Sequence, residues 1–186
     1  MDLYNKLSKK DRIKLIEKAG EKRFTLSFYK YELIKNLEIF RNFLFVQFNS
    51  IDVLGRIYIA NEGINAQLSL PAKNIYLLKK VLDEISFLKN VRLNIAIEHD
   101  NESFLKLKIK IRDKIVADGL GNDEYDLKNN GIHVNASEFN ELLNDKNTIA
   151  IDMRNHYESE IGHFEGANLP DVDTFRESLP IINKKY

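Results

Sequence analysis

Apolar residues recur along this chain with two different periods, and the switches between them mark its elements. In "SKKDRIKLIEKAG" at 8–20, Ile13, Ile16 and Leu15 fall towards one helical side. Ser8 is placed to cap this segment and Gly20 to end it, which predicts a short, charged, peripheral helix. "RFTLSFYKY" at 23–31 is rich in β-branched and aromatic residues with partial alternation and predicts a strand. Between 33 and 51 the spacing becomes three or four, through Leu33, Leu37, Phe40, Leu44, Phe48 and Ile51, so a helix is expected despite the aromatic content.

"GRIYIANEGINAQLSLP" at 55–71 predicts two strands around Asn61-Glu62-Gly63, residues that tolerate positive φ, with Pro71 closing the second strand. Ile75, Leu78, Leu82 and Ile85 form a helical stripe within 72–88. Val91, Leu93, Ile95 and Ile97 alternate over 91–99 as in a half-buried strand, and "FLKLKIKIRDKIV" at 104–116 alternates more cleanly. The order β-α-β-β-α-β with an added strand predicts an α+β fold, a split-βαβ, ferredoxin-like domain over 23–118, behind an N-terminal helical extension at 1–22.

Gly119, Gly121 and the polar "NDEYDLKNNG" at 122–131 predict a linker over 119–131, with a second unit at 132–186. There, "NASEFNELLNDK" at 135–146 reads as a helix capped by Ser137 and buried through Phe139, Leu142 and Leu143. "TIAIDM" at 148–153 reads as a central parallel strand.

Charge divides the chain in the same way. Residues 1–114 hold 22 Lys and Arg against 14 Asp and Glu, a net +8, whereas 115–186 hold 6 against 14, a net −8. The basic half is the one suited to a polyanion such as nucleic acid. No apolar run approaches the roughly 20 residues that span a bilayer, and the N-terminus lacks a secretory core, so a cytoplasmic protein with no membrane partner is expected. The 186 residues contain no cysteine, which excludes disulfides, thiolate nucleophiles and sulfur-ligated metals built from them.

Four cations, Lys106, Lys108, Lys110 and Arg112, alternate with Leu105, Leu107, Ile109 and Ile111. On a strand they line one face, where they serve either as an RNA-backbone contact or as the solvated guard of a sheet edge. Glu62 and Asn65 in "NEGIN" either present polar groups to a substrate or serve the turn. His99, His133, His156 and His163 have no metal-ligand spacing beyond the loose pair 156 and 163, so no metal is expected. His163 suits a structural hydrogen bond, and Asp152, Arg154, Glu158 and Glu160 suit loop ion pairs better than acid-base catalysis. Phosphate-cradling and serine-hydrolase motifs are absent.

"DMRNHYESEIGHFEGA" at 152–167 resembles a rhodanese homology domain, with Glu158 and Gly162-His163-Phe164-Glu165-Gly166-Ala167 carrying the likeness. Together with "SFYKY" at 27–31, "GRIYIANEGINAQLSLP", "LNIAI" at 93–97, "KIVADG" at 114–119 and "DTFRESLP" at 173–180, it resembles the rhodanese-type tRNA uridine hydroxylases over about residues 23–180. The resemblance implies a ferredoxin-like domain followed by an α/β rhodanese domain, tRNA as partner, and oxygen-dependent 5-hydroxylation of the wobble uridine. It implies molecular oxygen as co-substrate and no bound cofactor.

The family's presumed nucleophile lies in a Cys-x-Gly-Gly-x-Arg-Cys loop some tens of residues past the Gly-His motif. Residues 1–186 are therefore expected to be a catalytically inactive N-terminal fragment or truncated gene product, with a well-formed first domain and an incomplete rhodanese domain that is mobile, rearranged or covered by a partner, self-association through its exposed surface included. Asp152 and Arg154 match positions near that loop and are assigned support rather than bond making. Two alternatives stand beside this reading: a non-catalytic RNA-binding or assembly module, and a sulfurtransferase, which the absent cysteine equally disfavours.

Overall fold

A computed structural model describes residues 7–97, 103–116, 119–120 and 131–185. The chain separates into two compact units, Met1–Val116 and Ala117–Tyr186. Most of the expected linker, 121–130, lies outside the described residues, as does His99.

In the first unit α1 (Lys9–Ala19) begins where expected: the Ser8 hydroxyl accepts from the Asp11 amide, and Gly20 ends the helix in the left-handed region. β1 (Arg23–Tyr31), α2 (Leu37–Ser50), β2 (Leu54–Ala60), β3 (Gly63–Pro71), α3 (Ile75–Asp83), β4 (Asn94–Ile95) and β5 (Leu107–Ile111) follow. The sheet order is β4-β1-β3-β2-β5, antiparallel between the first four neighbours and parallel between β2 and β5. The α+β expectation holds, with the added strand at the sheet edge.

One sheet face is the core. Phe28, Ile57, Ile59, Ile64, Ala66 and Leu68 meet Leu44 and Phe48 of α2 and Leu78 and Leu82 of α3 in one buried cluster. Truncating Phe48 to Ala there would cost about 3–5 kcal/mol. The β2–β3 turn needs Gly63: its φ is +151°, and a Cβ would stand 2.2 Å from the Lys30 carbonyl oxygen.

Three expected boundaries shift. Residues 33–36 are not helical, because the Glu32 and Ile34 amides donate to the Glu62 and Asn61 carbonyls; α2 starts only at Leu37, leaving Leu33 exposed. The expected helix over 72–88 is α3 flanked by 3-10 turns at Ala72–Asn74 and Ser86–Leu88. Of the strand expected over 91–99, the described residues 91–97 keep the two of β4, which pair with Leu26 and Ser27. Val91 and Leu93 still pack on the core, but Ile97 is fully exposed, so its place in the alternation does not reflect burial.

The second unit contains α4 (Ala136–Asn144), α5 (His156–Ile161) and α6 (Phe175–Lys185). The cap of α4 is Asn135 rather than Ser137: its side chain accepts from the Ser137 and Glu138 amides while the Glu138 carboxylate accepts from the Asn135 amide. Phe139 and Leu143 are half-buried, Phe139 meeting Phe164 edge to face at 4.7 Å, but Leu142 is exposed. The run 148–153 forms a single parallel bridge, Ile151 to Asn168, rather than a strand. A β-rich segment becomes a strand only where a partner continues the ladder, and here Asn168 supplies two backbone bonds, to Asp152 and Ala150. Among the described residues of this unit, Val172 is the one hydrophobic side chain that is buried, while Ile132, Ile161 and Phe164 are exposed.

Candidate nucleic-acid interface

β5 lies at the sheet edge, and the alternation read from its sequence is kept: Lys106, Lys108, Lys110 and Arg112 are exposed, whereas Leu107 is buried and Ile109 and Ile111 pack on the core. Parallel pairing sets Lys108 opposite Arg56 and Lys110 opposite Tyr58 of β2. The cationic column is therefore wider than β5 itself. Among the described residues no carboxylate pairs with Lys106, Lys108 or Lys110. Like charges placed side by side across a sheet are destabilising, so setting exposed Arg56 beside Lys108 favours an anion more than it favours the fold. Guarding an edge against aggregation needs no cation on the neighbouring strand.

Arg112 is braced. Its guanidinium carbon lies 5.5 Å from the centre of the Tyr58 ring, within cation–π range. The row continues inward: Tyr58 pairs with Asn65 of β3 and Asn65 with Tyr29 of β1, while Arg56 pairs with Gln67 and Gln67 with Ser27. Directly opposed residues share a face, so the side of the sheet away from α2 and α3 carries cations, amides and tyrosines. Arg56, Tyr58 and Tyr29 belong to this candidate surface and were not singled out from the sequence. The signal was present, because Arg56 and Tyr58 alternate with Ile57 and Ile59 with the same period of two as β5.

"NEGIN" serves the scaffold. The buried Glu62 carboxylate accepts from the Ile115 amide at 2.7 Å, and the Asn65 side-chain amide donates to the Ile115 carbonyl at 3.3 Å. Both groups fasten the segment that leaves β5 and so fix the Arg112 end of the column; of the two readings of this segment, a structural role is the one these contacts fit.

Asp152 and Arg154 form a self-contained clamp in the second unit. The Asp152 carboxylate accepts from the Arg154 backbone amide at 3.1 Å, from its Nε at 2.9 Å and Nη2 at 2.6 Å, and from the Ser159 hydroxyl at 3.2 Å. Arg154 Nη2 also donates to the Gly162 carbonyl at 2.6 Å. These bonds, the Arg154 side chain first, hold the Asp152 carboxyl far below the ordinary carboxylate range, and the same partner raises the Arg154 pKa. A carboxylate so committed is a poor general base; its work is to shape the turn between Asp152 and Gly162.

His163 Nδ1 lies 2.9 Å from the Ser159 carbonyl, and since a carbonyl only accepts, that nitrogen carries the proton. His156 meets Glu160 and Asp171, each at 3.2 Å. Among the described residues no three His, Asp or Glu side chains gather to hold a metal ion, and no helix is long and apolar enough to cross a membrane.

Comparison with known proteins follows the same division. Residues 23–115, the sheet-bearing part, match the UPF0176 acylphosphatase-like domain. Over 180 residues, 97% of this chain and 49% of the relative, the sequence is 50% identical to the tRNA uridine(34) hydroxylase of Leptospira interrogans. It is 45% identical over 181 residues to that of Photorhabdus laumondii and 45% over 180 residues to that of Escherichia coli strain SE11, covering 97% and 96% of this chain and 51% of each relative. The chain spans about half the length of the curated relatives it matches.

Proposed function

The chain belongs to the tRNA uridine(34) hydroxylase family, whose UPF0176 acylphosphatase-like domain it carries at 23–115, and from that premise we propose that its first unit docks tRNA for oxygen-dependent 5-hydroxylation of the wobble uridine. The observation that carries this reading is the two-strand cationic surface: Lys106, Lys108, Lys110 and Arg112 exposed on β5, with Arg56 beside Lys108. Cations two residues apart on a strand are spaced by about 6.7 Å, which suits a run of successive phosphates, and each phosphate neutralised releases condensed counterions. The ferredoxin-like sheet is the rigid base for that surface, and the acidic half is the opening part of a rhodanese domain.

Within this half Asp152 and Arg154 hold the turn at 152–162 in shape and make no bonds to substrate. A step that runs through a thiolate needs a cysteine, which residues 1–186 do not contain, so these residues bind tRNA without hydroxylating it. The test combines an electrophoretic shift with nucleoside analysis. The purified 186-residue chain should retard unmodified tRNA in a salt-sensitive manner, and tRNA recovered after aerobic incubation should contain no 5-hydroxyuridine. Hydroxylated product in that digest would refute the division of labour, and absence of any tRNA shift at low salt would refute the docking role.

A further inference from the structure

Phosphate docking leaves unused part of the sheet face away from α2 and α3, where Ser103 meets Thr25 and Ile115 meets Asn65 but two planar groups stay exposed. Tyr29, Asn65 and Tyr58 form one cross-strand row on β1, β3 and β2, with Lys110 as its outer member. A strand tyrosine gains most by burying its ring, yet Tyr29 remains 50% exposed. Its ring is held in place all the same: Tyr31 meets it edge to face, with centroids 6.4 Å apart and planes at 76°. At the other end of the row the exposed Arg112 guanidinium lies over Tyr58. Two exposed planar groups, Tyr29 and Arg112, are thus each braced by a ring, and Asn65, which stands between Tyr29 and Tyr58, is itself fixed by its bond to Ile115.

The spacing and chemistry select one kind of ligand. Neighbouring strands lie about 4.8 Å apart, so Tyr29 and Tyr58, two strands apart, stand on the order of 10 Å from one another. They cannot stack together: Tyr29 is open to a flat partner of its own, whereas the half-buried Tyr58 is covered by Arg112, whose guanidinium is the exposed plane at that end. A double helix keeps its base faces inside and offers this sheet only phosphate and sugar, whereas an unpaired strand or loop can splay its bases onto aromatic rings or guanidinium planes. The column of Lys106, Lys108 and Lys110 beside the row supplies the anionic half of the same recognition.

We infer that the open sheet face is a stacking platform for the unpaired bases of an RNA loop, one base on Tyr29 and a second on the Arg112 plane, while the β5 lysines hold the phosphates between them. This inference rests on the docking role proposed above and adds to it a preference that charge alone does not give: loop over duplex.

The test uses the 186-residue chain and three labelled ligands: an unstructured single-stranded RNA, an RNA duplex of equal phosphate number, and inorganic polyphosphate. Tyr29→Ala should weaken single-strand binding by about 5- to 100-fold, leave the duplex and polyphosphate unaffected, and be rescued by Tyr29→Phe. If Tyr29→Ala does not fold, Tyr29→Leu compared with Tyr29→Phe makes the same comparison. Unchanged single-strand affinity in folded Tyr29→Ala and Arg112→Lys, with Lys108→Gln/Lys110→Gln still weakening all three ligands, would overturn the platform and leave docking standing. If the unaltered chain binds none of the three, the docking role fails and the platform fails with it.

Discussion

The Arg112 guanidinium carbon sits 5.5 Å from the centre of the Tyr58 ring, so an exposed cation on the edge strand is held against a half-buried ring of its neighbour. A braced guanidinium loses less freedom on meeting a phosphate than a solvated lysine does. Arg112→Lys keeps the charge but forfeits the plane and the fork. Affinity for tRNA should fall by about 2- to 5-fold, the equivalent of ~0.5–1 kcal/mol for an exposed cation–π contact, while the dependence on salt stays the same. Fluorescence anisotropy at several salt concentrations reads both quantities.

Glu62 provides a contrasting case, a carboxylate whose work is internal. Removing it in Glu62→Ala strips the Ile115 amide of its acceptor and should cost about 1–3 kcal/mol, seen as a lower urea midpoint; Glu62→Gln, which keeps a carbonyl in place, should cost less. A Glu62→Ala chain of unchanged stability but lost RNA binding would instead assign Glu62 to the ligand.

The two layers of the candidate site differ in how far the sequence reveals them. Lys106 to Arg112 could be read directly, because side chains on one strand alternate faces whatever the rest of the fold does. The Tyr29, Asn65 and Tyr58 row could not, because it exists only through the registers β1–β3 and β3–β2, which join residues far apart in sequence. Local signals also misled where tertiary bonds intervened. Leu33 continues the spacing of α2, yet the backbone around it is taken up by the Asn61 and Glu62 carbonyls. Ser137 is a good cap by type, but Asn135 reaches the first free amides before it. The alternation at 91–97 looked like a strand, yet its pairing with β1 is confined to Asn94, Ile95 and the Ala96 amide, which donates to the Thr25 carbonyl.

Acid should act on the second unit through Asp152. Its carboxyl pKa is depressed in the fold, chiefly by the Arg154 side chain, relative to an ordinary value of 3.8. A depressed pKa contributes stability that is present in full above the unfolded value and is lost as pH falls through the lower folded value. Between pH 5 and 8 the turn from Asp152 to Gly162 should therefore be insensitive to pH, and it should loosen only well below pH 4. Amide exchange at Arg154, followed by NMR as pH is lowered, checks this; Asp152→Asn should show the loosened turn already at neutral pH. A transition in the wild-type turn near pH 6 would contradict the assignment to Asp152.

The most direct measurement is the salt slope of tRNA binding by the 186-residue chain, with and without the two central lysines of β5. If Lys108 and Lys110 each neutralise a phosphate, Lys108→Gln/Lys110→Gln should reduce the slope of log affinity against log salt by about 1.4–1.8, with the fold intact by circular dichroism. An unchanged slope in a folded double variant would mean that the β5 column is a solvated sheet edge and that tRNA, if bound, is held elsewhere.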